Sequence, residues 1–227
     1  MSIHYRYSPS VLTSFPQLQS RGLLIDGIDR NAAPNAAMSQ LTAIAENRLA
    51  HATEGEFPEI KAWRRAFSAM GYKPTQYRCA SEALLRRFRM EGSLPALHPL
   101  VDLCNATSLA FAIPVAVFDV EKINGILSIR HADGDEVYET FGGNTESPEP
   151  GEIIYADDDR RAHARRWTNR QSGWSAINSE TKTALIVTEA LHETAQQDTD
   201  KLTNSLMTTL KQLWPASKIT QVVRHDF

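Results

Sequence analysis

An arginine-rich segment in the second half of the chain has the residue types that bind nucleic acid. Five arginines lie within eleven residues, with Trp167 among them and Trp174 just beyond. Guanidinium groups pair with phosphates in a forked geometry, and indole faces stack on unpaired bases. The segment therefore indicates either a surface for single-stranded RNA or a solvated face balanced by three preceding aspartates. The arginines are Arg160, Arg161, Arg165, Arg166 and Arg170.

The cysteines, histidines and paired glycines give no pattern that is specific for catalysis. Cys104 has no base at a recognisable spacing, so a small buried side chain is favoured over a nucleophile. The seven histidines are scattered singly, without an H-E-x-x-H or Cys/His motif, so we expect no metal site and no cofactor. Gly142 and Gly143 follow a predicted strand and indicate a tight turn or a close approach of backbone to a ligand.

Helical spacing of apolar residues predicts the elements that precede and follow these segments. Ser81 is placed to cap one helix, and Asp198, Thr199 and Asp200 are capping candidates for the last one. A further helix begins at a proline, which is favourable in the first turn. The predicted helices are residues 35–52, 58–70, 81–88, 99–108 and 200–214.

Short alternating or continuously apolar runs predict a sheet in the centre of the chain. The run at 184–190 is almost entirely apolar, as expected for a strand covered on both faces. Helices first, then strands, then a terminal helix indicate a mixed α/β fold: a single domain, residues 1–227, with a large mixed sheet flanked by helices. The predicted strands are 22–28, 114–120, 125–130, 136–141, 152–155 and 184–190.

Composition limits the class of protein. The chain has 227 residues, 42% of them hydrophobic and 22% charged, and a formal net charge of −3. That charge argues against a protein that holds nucleic acid mainly by neutralising phosphates, so any RNA contact would be local. Two cysteines without a framework, no signal peptide and no long apolar run predict a reduced, cytoplasmic protein that does not enter a membrane.

The order of several motifs is similar to one known family. The residues L-V-D-L-C-N at 100–105, P-V-A-V-F-D at 114–119 and G-I-L-S-I-R-H-A at 125–132 resemble a helix and two strands of the B3/B4 domain in bacterial phenylalanyl-tRNA synthetase beta subunits. The likeness covers about residues 55–195 and includes features of free-standing B3/B4 proteins. An N-terminal strand and helix extension and a C-terminal helix would flank that region.

The resemblance implies an editing site. In the synthetase this domain hydrolyses tyrosine that has been attached wrongly to phenylalanine tRNA, and its pocket asparagine and glutamate match Asn105 and Glu189, which we expect to be catalytic. Cys104 replaces the family's threonine and Ala116 its pocket histidine, so tyrosine specificity does not carry over. The expected substrate contacts are Cys104, Ala116, Gly142 and Gly143, and the expected RNA contacts are Arg165, Arg166, Trp167 and Arg170.

Three functions are consistent with these residues. The first is a deacylase that binds aminoacylated tRNA and removes a mischarged amino acid in trans, without ligase activity. The second is a non-catalytic module that binds an amino acid or similar small ligand. The third is an interaction protein that kept the fold and lost the site. The expected partners are tRNA and an amino acid, not DNA or a membrane, and the sequence does not predict the oligomeric state.

Overall fold

The computed structural model describes residues 4–222, in which helices surround two β-sheets. This confirms the mixed α/β class with a large mixed sheet. The strands divide between two sheets rather than one, because periodicity identifies strands but does not say which strands pair. The helices are α1 (Pro9–Ser14), α2 (Asn35–His51), α3 (Pro58–Ala69), α4 (Ala80–Glu91), α5 (Pro99–Phe111) and α6 (Ala195–Leu213), with 3-10 turns at Glu54–Glu56 and Val120–Lys122.

All six predicted strands form, and shorter strands accompany them. No helix among residues 4–222 combines the length and the apolar character that crossing a bilayer requires. The strands are β1 (His4–Tyr7), β2 (Gln19–Asp26), β3 (Val115–Asp119), β4 (Ile126–His131), β5 (Val137–Glu139), β6 (Thr145–Glu146), β7 (Ile153–Ala156), β8 (Arg161–Arg165), β9 (Arg170–Gln171), β10 (Thr183–Ala190) and β11 (Lys218–Val222).

The two sheets differ in topology. The larger one has the order β1-β4-β7-β8-β5-β6, with β9 paired to β8, and it is mixed because β1 with β4 and β5 with β8 run parallel. The smaller one has the order β11-β2-β10-β3, and all of its pairs are antiparallel. Strand β10 therefore has a partner on each side in the smaller sheet, and β3 is one of the two edge strands of that sheet.

Strand β10 is covered on both faces, as its apolar run predicts. Leu185 and Val187 belong to a buried cluster that includes side chains of both sheets and of α3. Ala184 and Ile186 point the other way, into a second cluster with α5 and α6. Because successive side chains of a strand alternate, Glu189 lies on the same face as Val187, towards the larger sheet.

Two predicted helix starts need correction. Helix α4 begins at Ala80, and Ser81 is buried inside its first turn rather than capping it. Helix α6 begins at Ala195, so the three polar residues expected as caps lie within the helix. One of them, Asp198, still serves the helix start, because its carboxylate accepts a hydrogen bond from the hydroxyl of Thr194 at 2.5 Å. Asp198, Thr199 and Asp200 are therefore residues of the helix, and Thr194 occupies the N-cap position.

Candidate functional site

A small cavity lies between the two sheets, where β3 and β10 face β7, β8 and the turn that follows β8. Its volume is about 70 Å³. Of the residues predicted for a site, it brings together Ala116, Trp167, Arg170 and Glu189. The remaining wall is mainly apolar and comes from both sheets. It consists of Ala80, Pro114, Val115, Phe118, Tyr155, Ala164, Thr168, Asn169, Gln171 and Val187.

The carboxylate of Glu189 is the acceptor for three buried donors. Oε1 accepts hydrogen bonds from the Tyr7 hydroxyl at 2.5 Å and from Trp167 Nε1 at 2.7 Å. Oε2 accepts one from the Tyr155 hydroxyl. A carboxylate has about four acceptor positions, so three of them are occupied by the protein itself. One position, on Oε2, is left for a ligand or water in the cavity.

Burial sets the protonation behaviour of this cluster. Desolvation raises the pKa of the Glu189 carboxyl, and the hydrogen bonds from Tyr155, Tyr7 and Trp167 reduce that increase without cancelling it. The same burial, together with the nearby carboxylate, raises the pKa of both tyrosines well above 10. Both tyrosines are therefore neutral donors at physiological pH.

The turn that connects β8 to β9 places Trp167 in the core. Arg166 and Trp167 have φ angles of 47° and 57°, a left-handed conformation that costs a non-glycine residue of order 1–3 kcal/mol. The Trp167 amide donates to the Ile153 carbonyl at 2.6 Å, and its ring lies between Phe15 and Trp63 at centroid distances of 4.9 and 5.0 Å. Such strain persists where the surroundings fix it, as they do here.

Two predicted RNA contacts are buried instead. Trp167 has no exposed surface and offers no face to a base. Arg165 is 4% exposed, and its guanidinium forms a two-pronged ion pair with Glu152 and a further bond to Glu146. Both side chains therefore have structural partners. The strand at 161–165 is not among the predicted strands, although the alternation of polar and small residues in R-A-H-A-R is typical of a half-covered strand.

The mouth of the cavity is polar and basic. Arg170 is 40% exposed and shares Glu146 with Arg165, whereas Arg166 forms no ion pair with any residue of 4–222 and lies over the Tyr77 ring at 4.9 Å. The Asn169 amide donates to the Arg78 carbonyl at 2.7 Å, which joins the turn to the start of α4. Arg170 thus places a guanidinium group at the cavity, and Arg166 directly precedes the cavity-lining Trp167 in the chain.

Other predicted site residues lie elsewhere. Asn105, on α5, lines a different groove of about 330 Å³ between α2, α5 and the loop after α4. Cys104 is buried in the cluster on the far face of the smaller sheet, and burial raises the pKa of its thiol, which confirms the small buried side chain. The smaller sheet therefore separates both residues from Glu189.

Gly142 and Gly143 form the exposed turn between β5 and β6 and do not line the cavity. The Gly143 amide donates to the Thr140 carbonyl at 3.0 Å, and Gly143 has a φ of 82°. The structure therefore agrees with the tight-turn interpretation of this pair.

A serine, a histidine and an aspartate meet at a second place, but they are closed to substrate. His163 Nδ1 lies 2.9 Å from the Ser175 hydroxyl, and its Nε2 lies 3.2 Å from Asp157 Oδ2. Burial alone would raise the pKa of Asp157, but hydrogen bonds from His163 and from the amides of Asn124 and Arg161 lower it. Ser175 and His163 have no exposed surface. We interpret this group as a link between strands rather than a nucleophile.

Three carboxylates near the start of β5 also lie close together. Side-chain oxygens of Asp133, Asp135 and Glu136 are within 4.8 Å of one another. Guanidinium groups already neutralise them, since Arg160 pairs with both aspartates and Arg130 bonds to Glu136 at 2.5 Å. Their proximity follows from these ion pairs.

The sequence did not reveal two members of the cavity cluster. Tyr7 and Tyr155 donate to Glu189 from strands that are 182 and 34 residues away in the chain. A buried glutamate in an apolar strand needs donors, and tyrosines on neighbouring strands are suitable ones. The sequence shows that a buried glutamate in this strand needs hydrogen-bond donors, but it does not show which tyrosines supply them.

Comparisons with known proteins agree with the fold. Residues 62–212 match the family model for the B3/4 domain. The phenylalanine–tRNA ligase beta subunit of Cereibacter sphaeroides is 37% identical over 75 residues, 33% of this chain and 9% of that protein. The corresponding subunit of Photorhabdus laumondii subsp. laumondii is 25% identical over 115 residues, 50% of this chain and 14% of that protein. The chain thus corresponds to a small part of these relatives.

A solved structure has the same overall fold. It is an N-terminal fragment of the phenylalanyl-tRNA synthetase beta subunit from Pyrococcus horikoshii, with a TM-score of 0.56 and 10% sequence identity. The match covers 100% of this chain and 52% of that fragment. Because the family model covers residues 62–212, the resemblance seen in the motifs is confirmed: the chain belongs to the B3/4 domain family.

Proposed function

We propose that the chain binds the aminoacylated end of a tRNA at the cavity and hydrolyses the bond to a mischarged amino acid. The observation that carries this proposal is the meeting of Ala116 and Glu189 in one cavity. Both occupy positions that the resemblance assigns to the editing pocket. The proposed substrate would place the protein in the cytoplasm, where aminoacylated tRNA is used.

The charges at the mouth support a contact with RNA. Arg170 lines the cavity, and Arg166, the residue before the cavity-lining Trp167, lies over the Tyr77 ring at 4.9 Å. Guanidinium groups suit phosphates, and an aromatic face suits an unpaired base, so the single-stranded end of a tRNA has matching chemistry. With a net charge of −3 for the chain, we expect this contact to be weak and sensitive to salt.

The proposed reaction is hydrolysis of an ester. A water oxygen attacks the carbonyl carbon, the bond from that carbon to the ribose oxygen breaks, and the proton goes to the ribose oxygen. Among residues 4–222, the ionisable side chains that line the cavity are Tyr155, Arg170 and Glu189, and Glu189 is held by three donors. The cavity would therefore position water and substrate, and the neighbouring ribose hydroxyl would assist.

A deacylation assay tests this proposal. The chain is incubated with tRNAs that carry different labelled amino acids, and the release of each amino acid is compared with the rate in buffer. We expect at least one mischarged tRNA to be cleared, and we expect Arg166→Ala to slow its clearance at low protein concentration. Arg160→Ala is the matched control, because Arg160 lies at the other end of β8 and pairs with Asp133 and Asp135. Rates equal to buffer for every tRNA would refute the proposal.

A second function is favoured by one observation: the Glu189 carboxylate already accepts three hydrogen bonds from the protein. A carboxylate that already accepts three hydrogen bonds is poorly suited to remove a proton from water, so the cavity could bind a ligand without catalysis. In that case amino acids would raise the melting temperature of the chain. Charged tRNA would then be stable in its presence and would bind no better than an unrelated RNA.

A further inference from the structure

The dimensions of the cavity restrict which amino acid it accepts. Its volume is about 70 Å³. A cavity of roughly 150 Å³ is the size that holds benzene in a well-studied protein interior. An aromatic side chain therefore needs about twice the space present, whereas a methyl or hydroxymethyl group fits.

The walls cannot easily move apart. Phe118, Tyr155 and Val187 are each at most 1% exposed, and the rings of Phe118 and Tyr155 pack at 5.4 Å. Trp167 is fixed between two aromatic rings and by its bond to Glu189. Close-packed interiors resist expansion, so a larger side chain would have to displace several buried groups together.

The polar capacity of the cavity is equally limited. Glu189 has one acceptor position left, on Oε2, after its three internal bonds. That position accepts one hydrogen bond from a small hydroxyl group. One N–H of the Gln171 side-chain amide is occupied, since it donates to the Val117 carbonyl at 2.5 Å. Thr168 also lines the cavity, and its buried hydroxyl has no hydrogen-bond partner among residues 4–222, so it is a second group that can bond a small hydroxyl.

We infer that the amino acid accepted by this cavity has a small side chain, of the alanine or serine class, and is not aromatic. This inference rests on the proposed function for its setting in an aminoacylated tRNA. Ala116 is the residue that leaves the space, because its methyl group lines the cavity on the edge strand β3. Glu189 then acts as part of the wall and as the partner of a serine hydroxyl.

The first experiment compares tRNAs that carry alanine, serine, tyrosine or phenylalanine. We expect alanine or serine to be released at least about tenfold faster than tyrosine or phenylalanine. Faster release of the aromatic amino acids would overturn the inference while leaving the proposed function intact. No release from any tRNA would contradict the proposed function but not the inference about side-chain size. The binding experiment with amino acid amides would then test that inference.

The binding experiment uses amino acid amides, which do not require hydrolysis. L-alaninamide or L-serinamide should raise the melting temperature more than L-tyrosinamide at the same concentration. Ala116→Leu should abolish that difference by filling the cavity, with little loss of stability in the absence of ligand. Ala216→Leu makes the same change at an exposed position and should leave the difference unchanged. A larger shift with L-tyrosinamide, or an unchanged response in Ala116→Leu, would overturn the inference.

Discussion

The buried carboxylate of Glu189 allows a quantitative test of the core of the site. Replacing it with alanine removes the acceptor for the hydroxyl of Tyr155 and for the indole of Trp167, whereas the Tyr7 hydroxyl keeps Ser20 Oγ as an acceptor at 3.0 Å. Each buried donor left without a partner costs about 1–3 kcal/mol. Water that enters the adjoining cavity would satisfy some of them, so we expect a total loss of roughly 3–5 kcal/mol. For a chain of this length that lowers the melting temperature by about 10–15 °C.

Glu189→Gln keeps the shape of the side chain and removes its charge, so it separates the effects of the two on stability. The glutamine oxygen keeps two of the three acceptor interactions, and the variant avoids the burial of an ionised group, so we expect it to lie within about 1–2 kcal/mol of the wild type at neutral pH. Glu193→Gln is a matched control, since Glu193 is exposed and only four residues away. Its unfolding free energy should equal that of the wild type.

The pH dependence of the same variant tests the raised pKa. A carboxyl group whose pKa is higher in the folded state than in the unfolded one binds more protons when folded. Its contribution to stability is complete below the unfolded pKa of about 4.5 and is lost as pH rises through the folded pKa. Denaturant unfolding of the wild type and Glu189→Gln from pH 4.5 to 8 should therefore show the wild type losing stability relative to the variant.

Two results would refute this reasoning about Glu189. The first is a stability difference between wild type and Glu189→Gln that stays constant, or that moves in favour of the wild type, as pH rises. The second is a loss of less than about 1 kcal/mol in Glu189→Ala, because the buried donors of Tyr155 and Trp167 cannot both lose their partner at so small a cost.

Three further predictions address other parts of the molecule. Arg166→Ala should reduce the slope of log affinity for charged tRNA against log salt by about 1, measured by filter binding, and an unchanged slope would exclude a phosphate contact. Arg165→Ala should cost about 3–5 kcal/mol in urea unfolding, because the buried carboxylate of Glu152 loses its paired cation and keeps only the amide hydrogen bonds from Arg166 and Glu149, and a loss below about 1 kcal/mol would contradict this. Neither cysteine should react with a thiol reagent at pH 8 in the folded chain, since both are buried and burial raises the pKa of Cys79 to about 12; mass spectrometry would reveal any modification.

Much of the fold could be predicted because its signals are local. The spacing of apolar residues in α2 and α3 and the continuous run in β10 depend only on neighbouring residues, and all three form as expected. The division into two sheets depends on pairing between distant strands, such as β2 with β10. Periodicity carries no information about such partners.

The candidate site was less predictable for the same reason. Glu189 and Ala116 could be proposed from motif positions, but the hydroxyl groups that hold Glu189 come from β1 and β7. The arginine-rich segment predicts exposed side chains, yet Arg165 is buried because its guanidinium pairs with Glu152. Burial of a charged residue depends on its partner, which the local sequence does not show.

The left-handed turn after β8 would set the spacing between the phosphate and the amino acid of a bound substrate. Arg166 is half-buried over the Tyr77 ring, and Trp167, the next residue, donates to Glu189. In the proposed complex Arg166 binds a phosphate and Trp167 contacts the amino acid side chain in the cavity. A single peptide bond joins these two residues, so it would set the distance between the phosphate and the side chain. The turn would keep the distance between these two binding positions constant. Inserting or deleting one residue in the turn would change that distance and so change which aminoacylated RNA end can occupy both positions.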